Sequence, residues 1–134
     1  VMALEGDRWL VVDHLVAKET HQYALHWLLG DFPFAQKDNS VLLTLDGMKY
    51  KIQVGIVNGN SGLSVVRADP ASTRGWRSRY YGHKEPATSL LLETNQPRVT
   101  FWTFFGFESD IVEVGGDILR AYSQEINLSR LDNG

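Results

Sequence analysis

The stretch that decides the fold is residues 41–57, which read VLLTLDGMKYKIQVGIV. An apolar run, residues 41–45, leads into Asp46-Gly47, and a second run, residues 48–57, then alternates apolar and polar side chains. An Asp-Gly pair between two β-forming runs favours a type I′ turn, because both central residues of that turn need a positive φ. The alternation gives the second run one buried and one solvent-facing side. The stretch therefore predicts an antiparallel β-hairpin.

The rest of the chain repeats this pattern of short β-forming runs between turn residues. Further strands are predicted at residues 8–16, 21–29, 63–67, 76–81, 87–94, 98–107, 111–114 and 118–122, with another edge near Ile126 and Leu128. A polar loop is predicted at residues 36–39, and a short helix at residues 123–131 is the alternative to the edge near Ile126 and Leu128. Helical periodicity is otherwise weak. The chain is therefore predicted to be all-β, an antiparallel β-sandwich of about ten short strands with little helix, forming a single domain over residues 1–134.

Residues 98–107, RVTFWTFFGF, differ from the other predicted strands because both of their faces are apolar. Phe101 and Phe105 lie on one side of such a strand, and Trp102 and Phe104 lie on the other. Two explanations remain open. The second face lies against the other sheet of a curved double layer, or it is a surface covered by a neighbouring domain, since large exposed aromatic patches usually mark interfaces.

Composition limits the classes of partner. The 134 residues carry a formal net charge of -3, which argues against nucleic acid as the main partner. There is no cysteine, so neither a disulfide framework nor a thiolate metal site is available. No apolar run approaches the roughly 20 residues that a membrane span requires. The opening residues VMALEGDRW do not resemble a signal peptide, and the chain is treated as a possible fragment of a longer protein.

The positive charge is concentrated in residues 73–93, TRGWRSRYYGHKEPATSLLLE. Between residues 73 and 86, four cationic side chains oppose one carboxylate, a local net charge of +3 on an acidic chain. Such an island favours a local anionic ligand. If residues 76–81 form a strand, Arg77, Arg79 and Tyr81 share one face, and Arg offers a planar donor fork to carboxylate or sulfate. The alternative is an edge strand with solvated arginines and buried aromatic rings.

Most catalytic chemistries lack a sequence signal. His21 and His26 would face opposite sides of a strand, and no metal-binding motif, nucleophile elbow or phosphate loop is present, so no metal and no cofactor are predicted. Proton abstraction next to a carboxylate is the reaction for which the residue types exist, because it needs cations to hold the acid and a base. The predicted substrate-binding residues are Trp76, Arg77, Arg79, Tyr81 and His83, with Tyr81 as the candidate catalytic base.

The stretch RGWRSRYYGHKEPATSLLLE, residues 74–93, resembles a strand, Tyr-Gly pair and apolar strand near the C-terminus of heparinase II/III-like polysaccharide lyases. The opening WLVVDHLVAKETHQYALHWLL, residues 9–29, resembles another pair of strands in the same family. Together they cover 41 of the 134 residues, about a third of the chain. The resemblance implies an α-helical toroid followed by a large β-sandwich, with β-elimination of uronic-acid-containing polysaccharide in the cleft between them.

On that resemblance the chain is the C-terminal part of the β region and is inactive alone, because the catalytic residues of the family lie upstream. The implied partners are an anionic polysaccharide and the upstream α-helical domain, and the implied location is periplasmic or secreted. Two alternatives stay open: a non-catalytic carbohydrate-binding module and a purely structural sandwich.

Overall fold

The structure, a computed structural model, describes residues 1–16, 22–57, 59, 62–72, 74–78, 82–96, 98–121 and 124–128. Its strands are β1 Met2–Leu4, β2 Arg8–Val16, β3 Tyr23–Leu29, β4 Phe34–Lys37, β5 Ser40–Leu45, β6 Met48–Ile56, β7 Ser64–Arg67, β8 Trp76–Arg77, β9 Glu85–Pro86, β10 Thr88–Thr94, β11 Arg98–Phe107, β12 Val112–Gly115, β13 Ile118–Ala121 and β14 Gln124–Asn127. The all-β, antiparallel prediction is confirmed. In these ranges no helix is long and apolar enough to cross a membrane.

The predicted hairpin lies within the largest of the described sheets. Strands β5 and β6 pair from Leu45↔Met48 outward, and Asp46 and Gly47 have φ values of 50° and 78°, as the Asp-Gly pair predicts. The six-stranded sheet to which they belong has the order β1-β2-β11-β6-β5-β4. Among the described strands, smaller sheets have the orders β3-β10-β7, β12-β13-β14 and β8-β9.

Strand β11 is buried on both faces because the central sheet lies between two others. Phe101 packs with Leu90 and Leu92 of the β3-β10-β7 sheet in one hydrophobic cluster. Trp102 and Phe104 pack on the opposite side with the β12-β13-β14 sheet. A sheet of this chain therefore covers the second face, as the first explanation expects, but that sheet is a third layer and not part of a curved double layer. Cover by a neighbouring domain is not needed there. The sandwich has three layers, the third supplied by the end of the chain.

Three local predictions are wrong. Residues 36–39 were expected to be a loop, but Gln36 and Lys37 belong to β4, which pairs with β5. A helix is excluded at residues 124–127, which form β14 and place Ile126 in the core. The strand predicted at residues 76–81 is only two residues long where it is described, because its partner β9 is equally short. The remaining residues of that prediction, 79–81, lie outside the described residues.

Candidate functional site

The sequence-predicted patch is carried by the connection between β7 and β10. Within it, β8 pairs with β9 so that Trp76 is opposite Pro86 and Arg77 is opposite Glu85. This two-stranded ribbon has no hydrophobic cluster of its own among the described residues. Its geometry must therefore come from the loop before it and from the sheet on which that loop rests.

The loop is held by the carboxylate of Asp69. One carboxylate oxygen accepts a hydrogen bond from the Ala71 amide at 2.9 Å, and the other accepts one from the Ser72 hydroxyl at 2.7 Å. The Ser72 hydroxyl, the Ala71 amide and the nearby charge of Arg74 together lower the pKa of Asp69 despite some desolvation. A carboxylate that bonds to its own backbone two residues on is typical of a tight turn.

Gly75 closes the loop at a position that other residues do not fit. Its φ is +77°, and an added Cβ would lie 2.3 Å from the backbone nitrogen of Ala68. Its carbonyl accepts hydrogen bonds from the amides of Ala68 and Ala87, each at 2.8 Å. The start of β8 is thereby tied both to the end of β7 and to the residue before β10.

Arg74 fastens the loop to the outer face of the β3-β10-β7 sheet. Its guanidinium donates to the Ser64 hydroxyl at 2.9 Å and to the Ser64 carbonyl at 3.3 Å. It also donates to the hydroxyl and carbonyl of Ser89, each at 3.4 Å. The buried Ser89 hydroxyl is in addition 2.7 Å from Nε2 of His26, so three strands and the loop meet in one polar cluster.

Trp76 is fixed at both its edge and its face. The indole Nε1 donates to the Asp69 carbonyl at 2.7 Å. The ammonium of Lys84 lies 4.3 Å from the indole centroid, a cation–π contact. Trp76 is half-buried, so part of the ring stays accessible to solvent.

These groups enclose a shallow concavity, which we call the Trp76 pocket. It has a volume of about 260 Å³ and is lined by Ser72, Trp76, Arg77, Ser78 and Lys84. Trp76, Arg77 and Ser78 are consecutive, yet all three line it, contrary to the strand alternation predicted for them. An indole, two cationic side chains and two hydroxyls around one concavity can bind an acidic, polyhydroxylated ring.

Arg77 and His83 both face the carboxylate of Glu85. Arg77 Nε donates to Oε1 of Glu85 at 2.9 Å, and Arg77 Nη2 lies 2.7 Å from the same oxygen. His83 Nε2 lies 4.0 Å from Oε2. The predicted residues Trp76 and Arg77 thus meet in the pocket, whereas His83 is not among its lining residues and meets Arg77 through Glu85. Arg79 and Tyr81 lie outside the described residues, so the predicted base stays a prediction.

Sequence reasoning missed Lys84 as a pocket residue and missed the cluster of Arg74, Ser64, Ser89 and His26. Period-2 alternation gives the face of each serine within its own strand, but not the register that brings Ser64 and His26 to Ser89. A contact that depends on pairing between distant strands leaves no local pattern in the sequence.

A second concavity, the apolar cleft, lies on the face of the central sheet near the β5–β6 turn. Its volume is about 280 Å³. Most of the residues that line it are apolar, and two, Asp7 and Lys51, are charged. The lining residues are Asp7, Leu29, Phe32, Leu43, Leu45, Tyr50, Lys51, Ile52, Phe105 and Gly106. Phe32 and Leu45 are also among the exposed large hydrophobic residues, so the cleft opens onto an apolar surface.

Comparison of this chain with known proteins finds no relative. No protein-family profile matches the chain. No curated protein and no solved structure matches it either. The fold and the site together describe an all-β, three-layered protein with a cationic, aromatic pocket on a connecting loop.

Proposed function

We propose that this chain is the C-terminal β-sandwich domain of a heparinase II/III-like polysaccharide lyase, and that it binds an acidic sugar unit in the Trp76 pocket. The observation that carries the binding is the enclosure of one concavity by Trp76, Arg77 and Lys84. The sequence resemblance of residues 74–93 and 9–29 supports the assignment to the lyase, and the all-β architecture is compatible with it.

The chemistry of the pocket suits a uronate or a sulfated sugar. The apolar face of a sugar ring packs against an accessible indole, and Lys84 supplies a point charge beside that ring. Arg77 supplies a planar donor fork for carboxylate or sulfate. The Ser72 hydroxyl, whose proton is donated to Asp69, keeps acceptor capacity for a hydrogen bond from a ring hydroxyl. The loop that carries Trp76 is already braced by Asp69 and Gly75, so little ordering is required on binding.

The domain acts by positioning, not by chemistry of its own. In the proposed full-length enzyme the eliminating groups are supplied by the upstream helical domain, and the Trp76 pocket holds one unit of the polymer outside the reacting bond. Binding energy from such a remote unit orients the polymer for the reaction. The isolated chain is accordingly expected to bind acidic oligosaccharides without producing unsaturated uronate.

Calorimetric titration with heparan sulfate and alginate oligosaccharides tests this function. We expect a dissociation constant in the micromolar to millimolar range. Trp76→Ala should lower the affinity about tenfold or more, because aromatic anchors dominate binding energy. Lys84→Ala should weaken binding and reduce its dependence on salt. Lys49→Ala is the matched control, since Lys49 is a cation of another surface, 3.5 Å from Glu108.

Two further arms localise the site. A neutral glucan of equal length should bind at least about tenfold more weakly if the cations contribute charge-assisted hydrogen bonds. Trp9 is 47% exposed on the central sheet and offers another indole, so Trp9→Ala should leave affinity unchanged. If only Trp9→Ala lowered the affinity, the binding site would lie at Trp9 and not at the Trp76 pocket. Absence of binding to every acidic polymer would refute the proposal.

A second role, packing against another domain, is favoured by the apolar cleft. Phe32 and Leu45 are each 37% exposed at its mouth, and Met48 is 51% exposed beside the same turn. This role requires no ligand. It predicts that Leu45→Ser weakens association with the upstream helical domain, supplied as a separate chain, and leaves oligosaccharide binding unchanged.

A further inference from the structure

Arg77 lines the Trp76 pocket, and a carboxylate already lies against its guanidinium. Glu85 presents a single oxygen, Oε1, to both Nε and Nη2 of Arg77, at 2.9 and 2.7 Å. The two residues are directly opposite each other in the β8–β9 ribbon. Their side chains are 37% and 28% exposed, so solvent reaches both. Ion pairs with this exposure contribute little to stability and open readily.

We infer that Glu85 is an internal competitor for the acidic group of the ligand. Binding in the Trp76 pocket then exchanges the Arg77–Glu85 pair for a pair between Arg77 and the carboxylate or sulfate of the sugar. This inference rests on the proposed function. Its physical basis is that the Nε–Nη2 edge of a guanidinium donates its hydrogen bonds to one acid group in its plane, so Glu85 and a ligand anion cannot both bind that edge.

The displaced carboxylate has another basic side chain next to it. Oε2 of Glu85 lies 4.0 Å from His83 Nε2 in the closed arrangement. The pairing of Arg77 with Glu85 in the β8–β9 ribbon is made by the backbone and does not depend on the contact between their side chains. On this inference His83, which does not line the pocket itself, is the basic side chain beside the Glu85 carboxylate once a ligand has displaced it from Arg77.

The exchange makes the pocket selective for strongly acidic sugars. A ligand with a carboxylate or sulfate replaces the contact that Arg77 loses, whereas a neutral sugar leaves Arg77 paired with Glu85 and gains nothing from it. Specificity arises here from an unfavourable competitor as much as from an attractive contact. Removing the competitor should raise affinity for the acidic ligand.

The test is calorimetric titration of Glu85→Gln with heparan sulfate and alginate oligosaccharides. The amide keeps the shape of the side chain and removes its charge. We expect affinity to rise about fivefold, the factor that corresponds to roughly 1 kcal/mol. Glu125→Gln is the matched control, because Glu125 is also directly opposite an arginine, Arg120, at 2.9 Å in the β13–β14 pair. Its affinity should equal that of the wild type.

The Arg77→Ala background separates exchange from general repulsion. If Glu85 acts by occupying Arg77, Glu85→Gln brings no gain once Arg77 is absent. If it merely repels anions, the gain persists, and the exchange is refuted. Unfolding curves of each variant establish that the domain is folded before affinities are compared.

The two proposals fail in different ways. Wild-type binding with an unchanged or lower affinity in Glu85→Gln refutes the exchange and leaves the binding function standing. Absence of binding in both the wild type and Glu85→Gln refutes the binding function and the exchange together. A gain in Glu125→Gln of the same size as in Glu85→Gln shows that net charge alone is responsible, which also refutes the exchange.

Discussion

Two arginine–carboxylate pairs in this molecule have similar distances and different surroundings. Arg8 and Asp110 form a bidentate pair at 2.7 and 2.9 Å, with side chains only 10% and 4% exposed. Arg77 and Glu85 are as close but are 37% and 28% exposed beside a concavity. The difference in burial, and not in distance, is the reason for assigning the first pair to the fold and proposing ligand exchange for the second.

The buried pair is part of a closed network at the end of β11. One oxygen of Asp110 also accepts a hydrogen bond from the Phe107 amide at 2.9 Å, and the Asp110 carbonyl accepts one from the Lys51 ammonium. The Arg8 guanidinium lies 5.0 Å from the centroid of the Phe107 ring. An added Cβ on Gly106 would lie 2.5 Å from the Asp110 carboxylate, so the close approach requires glycine.

The largest effect is expected for Asp110→Ala. The change leaves the buried Arg8 guanidinium and the Phe107 amide without their acceptor, and breaking a buried pair from one side costs about 3–5 kcal/mol. Urea unfolding at neutral pH measures the loss. The double variant Arg8→Met, Asp110→Leu should recover most of it, since no buried charge then remains. A loss below about 1 kcal/mol in Asp110→Ala would contradict the role assigned to burial.

Gly75→Ala should have the next largest effect and should act on the pocket. The φ of +77° and the 2.3 Å approach to the Ala68 nitrogen force the loop to move, at a cost of about 1–3 kcal/mol. Because Trp76 follows directly, affinity for acidic oligosaccharides should fall with stability. Gly115→Ala is the control, since its added Cβ meets nothing within 4 Å and Gly115 lies in β12 without a positive φ. Unchanged affinity in Gly75→Ala would show that the loop does not position the indole.

Lowering the pH should weaken the buried Arg8–Asp110 pair, because protonation removes the charge of Asp110. Burial by itself would raise the pKa of this carboxyl, but the hydrogen bonds from Arg8 and the Phe107 amide, with the charges of Arg8 and Lys51, hold the pKa below its usual value. The stabilisation is therefore fully present above the unfolded pKa of about 3.9 and is lost as the pH falls through the folded pKa.

We expect the free energy of unfolding of the wild type to fall more steeply than that of Asp110→Asn between about pH 5 and about pH 2.5. Urea titrations at intervals over this range measure both slopes. The Asp31 and Asp69 carboxyls also have lowered pKa values, and they remain in both proteins, so they contribute equally to each slope. Parallel curves would mean that Asp110 is not linked to folding in this way.

The sequence predicts the parts of this fold that depend on neighbours along the chain. Asp46-Gly47 determines its turn locally, and the alternation of residues 98–107 predicts two buried faces without saying what covers them. For residues 124–127 both an edge strand and a helix were predicted, and the strand is correct because it pairs with β13, a contact that no local pattern reveals. Trp76 and Arg77 were expected on opposite faces, an expectation that holds only for a strand longer than the two residues present.

The candidate site was predictable as a composition but not as a geometry. A local excess of cationic and aromatic residues selects the segment that carries Trp76, Arg77 and Lys84. The cation–π contact of Lys84, the Asp69 turn and the Arg74 anchor arise from tertiary contacts that no spacing encodes. Chemistry that depends on such contacts is accessible only from coordinates.

The smallest effect is expected when the exposed pairs lose their charge without losing their shape. Glu85→Gln should change the free energy of unfolding by less than about 1 kcal/mol, because solvent already screens the Arg77–Glu85 pair and an amide oxygen still accepts from Arg77. Glu125→Gln, whose pair with Arg120 is 59–65% exposed, should leave stability without a measurable change. Urea unfolding of both variants beside the wild type measures these differences. A large loss in Glu85→Gln would make this pair a second structural clamp like Arg8–Asp110, too costly to open, and would remove the contrast from which the ligand exchange was inferred.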